Sequence, residues 1–284
     1  MLQILNSAPF VPFTAVSVFI FGMLTGSFVN VCIYRIPLEK SIIFPPSSCT
    51  ECDHRIKWYE NIPVLSWLFL KGKCSGCKKK ISMIYPFIEM TNGFLYLVAF
   101  FRFGISSDLF FVFYFISAMV VTAVIDFKTQ YVYSKVVLPV AFLGVLRAFI
   151  SPSITALSSI AGMVAGAGLL LLAIAIFYAV TRKIGMGLGD VYILGAIGAF
   201  TGIGVIPFVL FAASFGGIVF FIIAKLVFKK RRLAKNITQE DINSDNEKDL
   251  DNAIYFGPFL AAAGVLTLLT PTYLLDTVFY FRLF

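Results

Sequence analysis

Charge is what this chain has least of. Of 284 residues, 13% are Asp, Glu, Lys or Arg, while 59% are hydrophobic and the mean hydropathy is +0.91. That balance excludes a soluble domain of ordinary composition. Strict polar/apolar alternation is also missing. The apolar runs are continuous, which excludes lipid-exposed strands and leaves helices. No basic stretch precedes the first apolar run and no small-residue cleavage site follows it. The run is therefore read as a membrane helix and not as a secretory signal. The net charge of +8 comes without interleaved aromatic stacking residues, so nucleic acid is not implied. Histidine occurs once, as His54.

What the chain does have is length in its apolar runs, several of which approach the ~20 residues that cross a bilayer as a helix. Spans are expected near 12–34, 84–103, 108–126, 134–150, 156–180, 190–205, 206–228 and 253–270. A polar segment, 35–83, separates the first two. Residues 229–252 form a charged stretch, basic first and acidic later, expected to be a solvated loop with at most a short helix. The expected fold is an all-α polytopic membrane protein of about eight spans. Its parts are a first helix (1–34), an insertion (35–83) and a membrane core (84–284).

Lys and Arg set the orientation. The alternate connections 35–83, 127–135, 181–189 and 229–252 carry 19 of them; the other side has Arg102, Arg147 and Arg282. Basic residues collect on the cytoplasmic side. The insertion and the 181–189 loop are thus expected in the cytoplasm and both termini outside.

Under this topology two carboxylates reach the same cytoplasmic boundary. Asp126 closes the third run. Asp190 opens the sixth, directly after the glycine-rich stretch Gly185-Met186-Gly187-Leu188-Gly189. An acid at the edge of hydrocarbon is costly to keep there, and so marks a functional site and calls for a partner. Each proposes the other, and a pair of carboxylates makes aspartyl protease chemistry possible. Taken singly, Asp126 could anchor a span end and Asp190 could favour a helix N-terminus. A proton-coupled transporter using both acids is the alternative from another class. Among the other charged residues, Asp108 is expected to cap the third span and Arg147 to snorkel to the surface.

Four of the five cysteines stand in two pairs, Cys49-Thr50-Glu51-Cys52 and Cys74-Ser75-Gly76-Cys77. Paired C-x2-C knuckles read as a tetrahedral zinc site with a structural role, because four thiolates leave no open position. Two disulfides are the alternative, which a reducing compartment disfavours. His54 is read as a loop residue and Cys32 as a small packing residue.

These motifs, in this order, resemble the type IV prepilin peptidases. The resemblance rests on 26–37 (GSFVNVCIYRIP), the two knuckles, 60–67 (ENIPVLSW), 85–89 (YPFIE), Ile125-Asp126, Gly187-Leu188-Gly189-Asp190 and 256–259 (FGPF). The Gly-x-Gly-Asp arrangement is also similar to that of presenilin-type intramembrane proteases. Family positions often held by a lysine, an Ile-Pro pair and another Ile-Pro pair are here Tyr192, Val132-Tyr133 and Ile254-Tyr255.

The resemblance implies a bacterial inner-membrane enzyme with Asp126 and Asp190 catalytic. It would cut the short basic leader of type IV prepilins or secretion pseudopilins after a glycine, then N-methylate the new terminus with S-adenosylmethionine. A peptidase without methyl transfer is the alternative. The stretch 185–189 lacks the spacing and the preceding strand of a dinucleotide fingerprint, so any site for that cofactor must be unconventional. Glu60 and Glu89, beside the cysteine segment, are its candidates.

Overall fold

A computed structural model describes residues 11–182, 187–235 and 256–270, with the side chains of 227–235 left aside. Gly185, most of the charged stretch 229–252 and the tail 271–284 lie outside the described residues. Helices α1 (Val11–Arg35), α2 (Leu65–Phe69), α3 (Ile84–Phe103), α4 (Ser107–Thr129) and α5 (Ser134–Ile150) are followed by α6 (Ala156–Thr181), α7 (Leu188–Thr201), α8 (Ile206–Lys235) and α9 (Phe256–Leu269). The eight long ones fall on the eight apolar runs. Five stretches, α1, α3, α4, α6 and Ile203–Leu226, are long and apolar enough to cross a membrane. Helices α7 and α9 are apolar but have only 14 residues each, about 21 Å at 1.5 Å per residue. The start of the 229–252 stretch is helical, as α8 continues through Phe228 to Lys235.

The short α7 is the centre of the bundle. Val191, Ile193, Leu194, Ala196, Ile197, Ala199 and Phe200 are all buried. A helix buried along most of its length by other helices does not need to match the bilayer's full thickness. It ends at Gly202, whose φ of +85° suits glycine. Close backbone approach does the packing that the hydrophobic effect cannot do inside lipid. On α1, a β-carbon at Gly22 would fall 2.8 Å from the Gly93 Cα of α3, and one at Gly26 2.8 Å from the Glu89 Cα. Asn92 ties the same pair by donating to the Gly22 carbonyl at 2.7 Å. On α6, a β-carbon at Gly166 would fall 2.6 Å from the Leu194 carbonyl of α7, and Ser159 donates to the Ala199 carbonyl at 2.7 Å.

Two expectations are corrected here. Arg147 does not snorkel, and Asp108 does not cap α4. Both are buried, and Arg147 Nε donates to Asp108 Oδ1 at 2.7 Å. Arg147 also donates to the Phe200 carbonyl at 2.9 Å, and Ser153 hydrogen-bonds the other Asp108 oxygen. A long cation and a carboxylate 39 residues apart supply each other's lost hydration, so neither has to reach water. The contact joins the N-terminus of α4 to the C-terminus of α7. The opposite ends of those two helices carry Asp126 and Asp190.

Arg147→Met leaves a buried Asp108 uncompensated and is expected to cost about 3–5 kcal/mol. Adding Asp108→Asn should restore much of that loss. Thermal unfolding of the purified protein in detergent checks both; equal stability of the single and double variants would contradict the pairing.

Candidate active site

Asp126 lies one turn before the end of α4, which stops where Gln130 adopts a left-handed φ of 56°. Asp190 lies in the first turn of α7, behind Gly187 and Leu188. Asp126 is buried to 7% exposure, and Asp190 is half-buried. The two carboxylates meet at a third element, the first turn of α9. A β-carbon placed on Gly257 would overlap Asp126 Oδ2, 3.0 Å from its Cγ and 3.3 Å from Asp190 Oδ1. Only a residue without a side chain fits between two acids that close. Pro258 follows it within the helix's first turn, where a missing N–H leaves no bond unmade. Among the described residues, no cation pairs with either aspartate.

Of the two described glycines in this stretch, Gly189 works by close approach. A β-carbon on Gly189 would lie 2.7 Å from Val132 Cβ, while one on Gly187 would meet almost nothing. Val132, one of the positions where the chain departs from the motif, is thus what Gly189 packs against. The part played by Gly257 was not anticipated from sequence. Its stretch stood out by motif, but nothing in local pattern says that α9 threads between α4 and α7.

The second cluster is in the insertion. The Sγ atoms of Cys49, Cys52, Cys74 and Cys77 lie within 4.8 Å of one another, with Cys49 and Cys77 at 3.9 Å. All four are free thiols, so the disulfide alternative is not realised. Tetrahedral zinc with Zn–S near 2.3 Å sets sulfurs about 3.8 Å apart, which the Cys49–Cys77 distance meets. The two knuckles are built alike. Cys49 N–H bonds the His54 carbonyl and Cys74 N–H the Lys79 carbonyl, and Asp53 and Lys78, just past each second cysteine, both have positive φ. Backbone N–H groups of Cys77 and Gly76 pull the Cys74 thiol down to about 6. Cys52 goes the other way: a His54 N–H favours its thiolate, but partial loss of water and the three neighbouring sulfurs push it to about 11. Four crowded sulfurs hold protons that a divalent cation would displace. His54 is not a fifth member; its Nε2 lies 3.3 Å from Glu60.

Glu60 and Glu89 share one cleft of about 830 Å³ between the insertion and the ends of α1 and α3, lined also by Asn30, Tyr34, Tyr85, Cys49 and Cys74. That volume suits a drug-sized ligand. Glu60 accepts the Lys57 N–H at 2.9 Å. This bond, with help from Ser75 and His54, holds its carboxyl below the ordinary range. Glu89 is buried in α3 and accepts the Val64 N–H at 2.8 Å. Neither Asp126 nor Asp190 lines this cleft. The structure therefore gathers the four acids into two separate pairs.

Known proteins sharpen the reading. Residues 20–103 match the bacterial peptidase A24 N-terminal domain, and residues 113–222 match the type IV leader peptidase family. The chain is 32% identical to a prepilin leader peptidase/N-methyltransferase from Dichelobacter nodosus, covering 88% of this chain and 89% of that one. It is 31% identical to the protein of the same name from Pseudomonas putida, covering 88% of each. With the one from Bacillus subtilis (strain 168) it shares 38% identity over 65% of this chain and 73% of the relative. No solved structure matches. Two family domains in tandem and relatives aligned along most of the chain lead to one conclusion: this protein belongs to the type IV leader peptidase family.

Proposed function

We propose that the protein is a membrane aspartic endopeptidase of the cytoplasmic (inner) membrane. It cuts type IV prepilins or pseudopilins after the glycine that ends their short basic leader. It then N-methylates the exposed residue. The observation that carries the peptidase reading is the meeting of Asp126 and Asp190 at Gly257, in a chain of this family. The substrate's apolar helix would lie along the spans while its leader stays in the cytoplasm with the insertion. The scissile bond then falls at the level of the aspartates. A helical peptide bond is shielded by its own hydrogen bonds, and a glycine before the bond eases unwinding there.

Two carboxyls this close in a poorly watered site resist double ionisation, so the pair holds one proton. The ionised member takes a proton from the attacking water. The protonated member donates to the carbonyl oxygen and later serves the leaving amine. The titration belongs to the pair, and neither aspartate is assigned as the base.

For methyl transfer, the cleft holding Glu60 and Glu89 is the proposed site, with S-adenosylmethionine supplying the methyl group. Glu60 offers a fixed anion, and Glu89 a carboxylate able to hold the new terminal amine or take its proton. The cysteine cluster is proposed to hold structural zinc. A segment this small buries too little apolar surface to fold on that alone, so the metal would supply much of its folding energy.

Asp126→Asn and Asp190→Asn should each lower leader cleavage by about 10²–10⁴-fold or more while the protein still inserts in membranes. Gly257→Ala, which drives a methyl group into Asp126, should lower turnover with little change in KM. Product size on gels and initial rates in detergent check this, and an active Asp190→Asn protein would exclude the mechanism. Methyl label from S-adenosylmethionine is expected on cleaved product and should fall about tenfold in Glu89→Gln with cleavage retained. A wild-type enzyme that cuts but never transfers label would be a peptidase alone. Metal analysis is expected to find one zinc per chain. Stripping it with a chelator, or Cys74→Ser, should expose residues 35–83 to proteolysis before the bundle; a metal-free insertion with unchanged protection would refute the zinc assignment.

A further inference from the structure

The insertion contains a short helix whose outer side is uncovered. Leu65, Leu68 and Phe69 of α2 are 51%, 56% and 83% exposed, and their spacing places them on one helix face. The other side turns inward. Ser66 and Trp67 line the cleft, and Trp67 packs on Gly72 and donates to the Ile81 carbonyl at 3.2 Å. The helix is thus two-faced, with its apolar face pointing away from the protein.

Its height relative to the bilayer follows from one hydrogen bond. Val64, the residue before α2, donates to Glu89, which lies five residues inside α3. Helix α3 has 20 residues, about 30 Å, the thickness of the hydrocarbon core, so it has no turn to spare outside the membrane. Five residues at 1.5 Å put the Glu89 backbone about 7–8 Å below the helix's outer end, and Val64 is tied to that level through the Glu89 side chain. Interfacial helices bury their apolar face about 5–10 Å into the headgroup–acyl boundary, which is the same depth. Apolar exposure is not confined to α2: Ile84, Phe87 and Met90 in the first turns of α3 are exposed too.

Charge selects the lipid. Lys71 and Lys73 follow α2 directly, Lys57 precedes it, and residues 35–83 hold nine Lys and Arg against four Asp and Glu. Such flanking cations favour an anionic surface, by about 1 kcal/mol for each one near it.

We propose that α2 is an interfacial anchor. Leu65, Leu68 and Phe69 lie in the acyl boundary of an anionic bilayer, with Lys71 and Lys73 among its phosphates. The cysteine insertion is then fastened to the membrane at three points, its two chain ends and α2. The cleft between insertion and bundle is held open at the bilayer surface. The inference does not depend on the proposed enzymatic activity.

The test uses the full-length protein in nanodiscs of phosphatidylcholine and phosphatidylglycerol. The chain has two tryptophans, Trp58 and Trp67. In a Trp58→Phe background, Phe69→Trp adds one reporter on the outer face of α2, while inward-facing Trp67 is common to both proteins. Lipids brominated high on the acyl chain should remove at least half of the added emission, and aqueous iodide little of it. Emission quenched by iodide and untouched by brominated lipid would overturn the proposal. So would iodide quenching that a prepilin-like peptide then blocks, which would give the face to substrate. As a second reading, Leu68→Glu with Phe69→Glu should speed trypsin cleavage after Lys71 or Lys73 several-fold in the anionic discs. Cleavage of the unaltered protein at the same rate would equally overturn it.

Discussion

An acid placed among apolar helices must recover the hydration it has lost, and most of this architecture can be read from how each acid does so. Asp108 takes a guanidinium from α5. Glu89 takes a backbone N–H from the insertion. Asp126 and Asp190 differ: what each finds nearby is the other, across a bare glycine. An ion pair or an amide bond stabilises the charge it meets. A second carboxylate offers no such stabilisation. Local instability of that kind is tolerated where it serves chemistry.

That arrangement needs three helices to hold their places, and the means are steric as much as attractive. Helix α9 enters between the aspartates because Gly257 has no β-carbon. Helix α7 meets the 130–134 connection closely because Gly189 has none either. At the far ends of the same helices, Arg147 joins the start of α4 to the last turn of α7. The dyad is thus bounded by glycine contact at one end and by a charged clamp at the other. Inside lipid, where apolar surface gains little by meeting more apolar surface, close backbones and polar links are the available means of fixing one helix against another.

The insertion follows different physics. With few buried apolar side chains of its own, it relies on two mirrored knuckles whose backbone bonds aim four sulfurs at one point. Its contact with the bundle is polar, through Glu89, and forms one wall of the cleft. Glu60, held ionised by the Lys57 amide, faces the same space from the insertion's side. Cofactor-sized room therefore arises at a junction of two units, where neither alone would enclose it.

Long apolar runs made the eight helices legible in the sequence, because one period of hydropathy maps directly onto one span. Paired C-x2-C spacing foretold the sulfur cluster, since knuckle geometry is local. The count of Lys and Arg led to the expectation that Asp126 and Asp190 share one boundary, and the helices bring them together. What sequence could not show were contacts between distant segments. Arg147 and Asp108 looked like surface charges because hydropathy treats each charge alone, and nothing local reveals a partner 39 residues away. Gly257 looked like part of a motif without a task, and the two-faced exposure of α2 was invisible inside a polar segment. Composition and periodicity by themselves determined the class of fold, the long apolar helices among the described residues and the chemical types at the sites. Tertiary packing alone decided which acids meet, which share a cleft and which are neutralised, because those outcomes depend on ångström distances between helices that the chain's linear order does not encode.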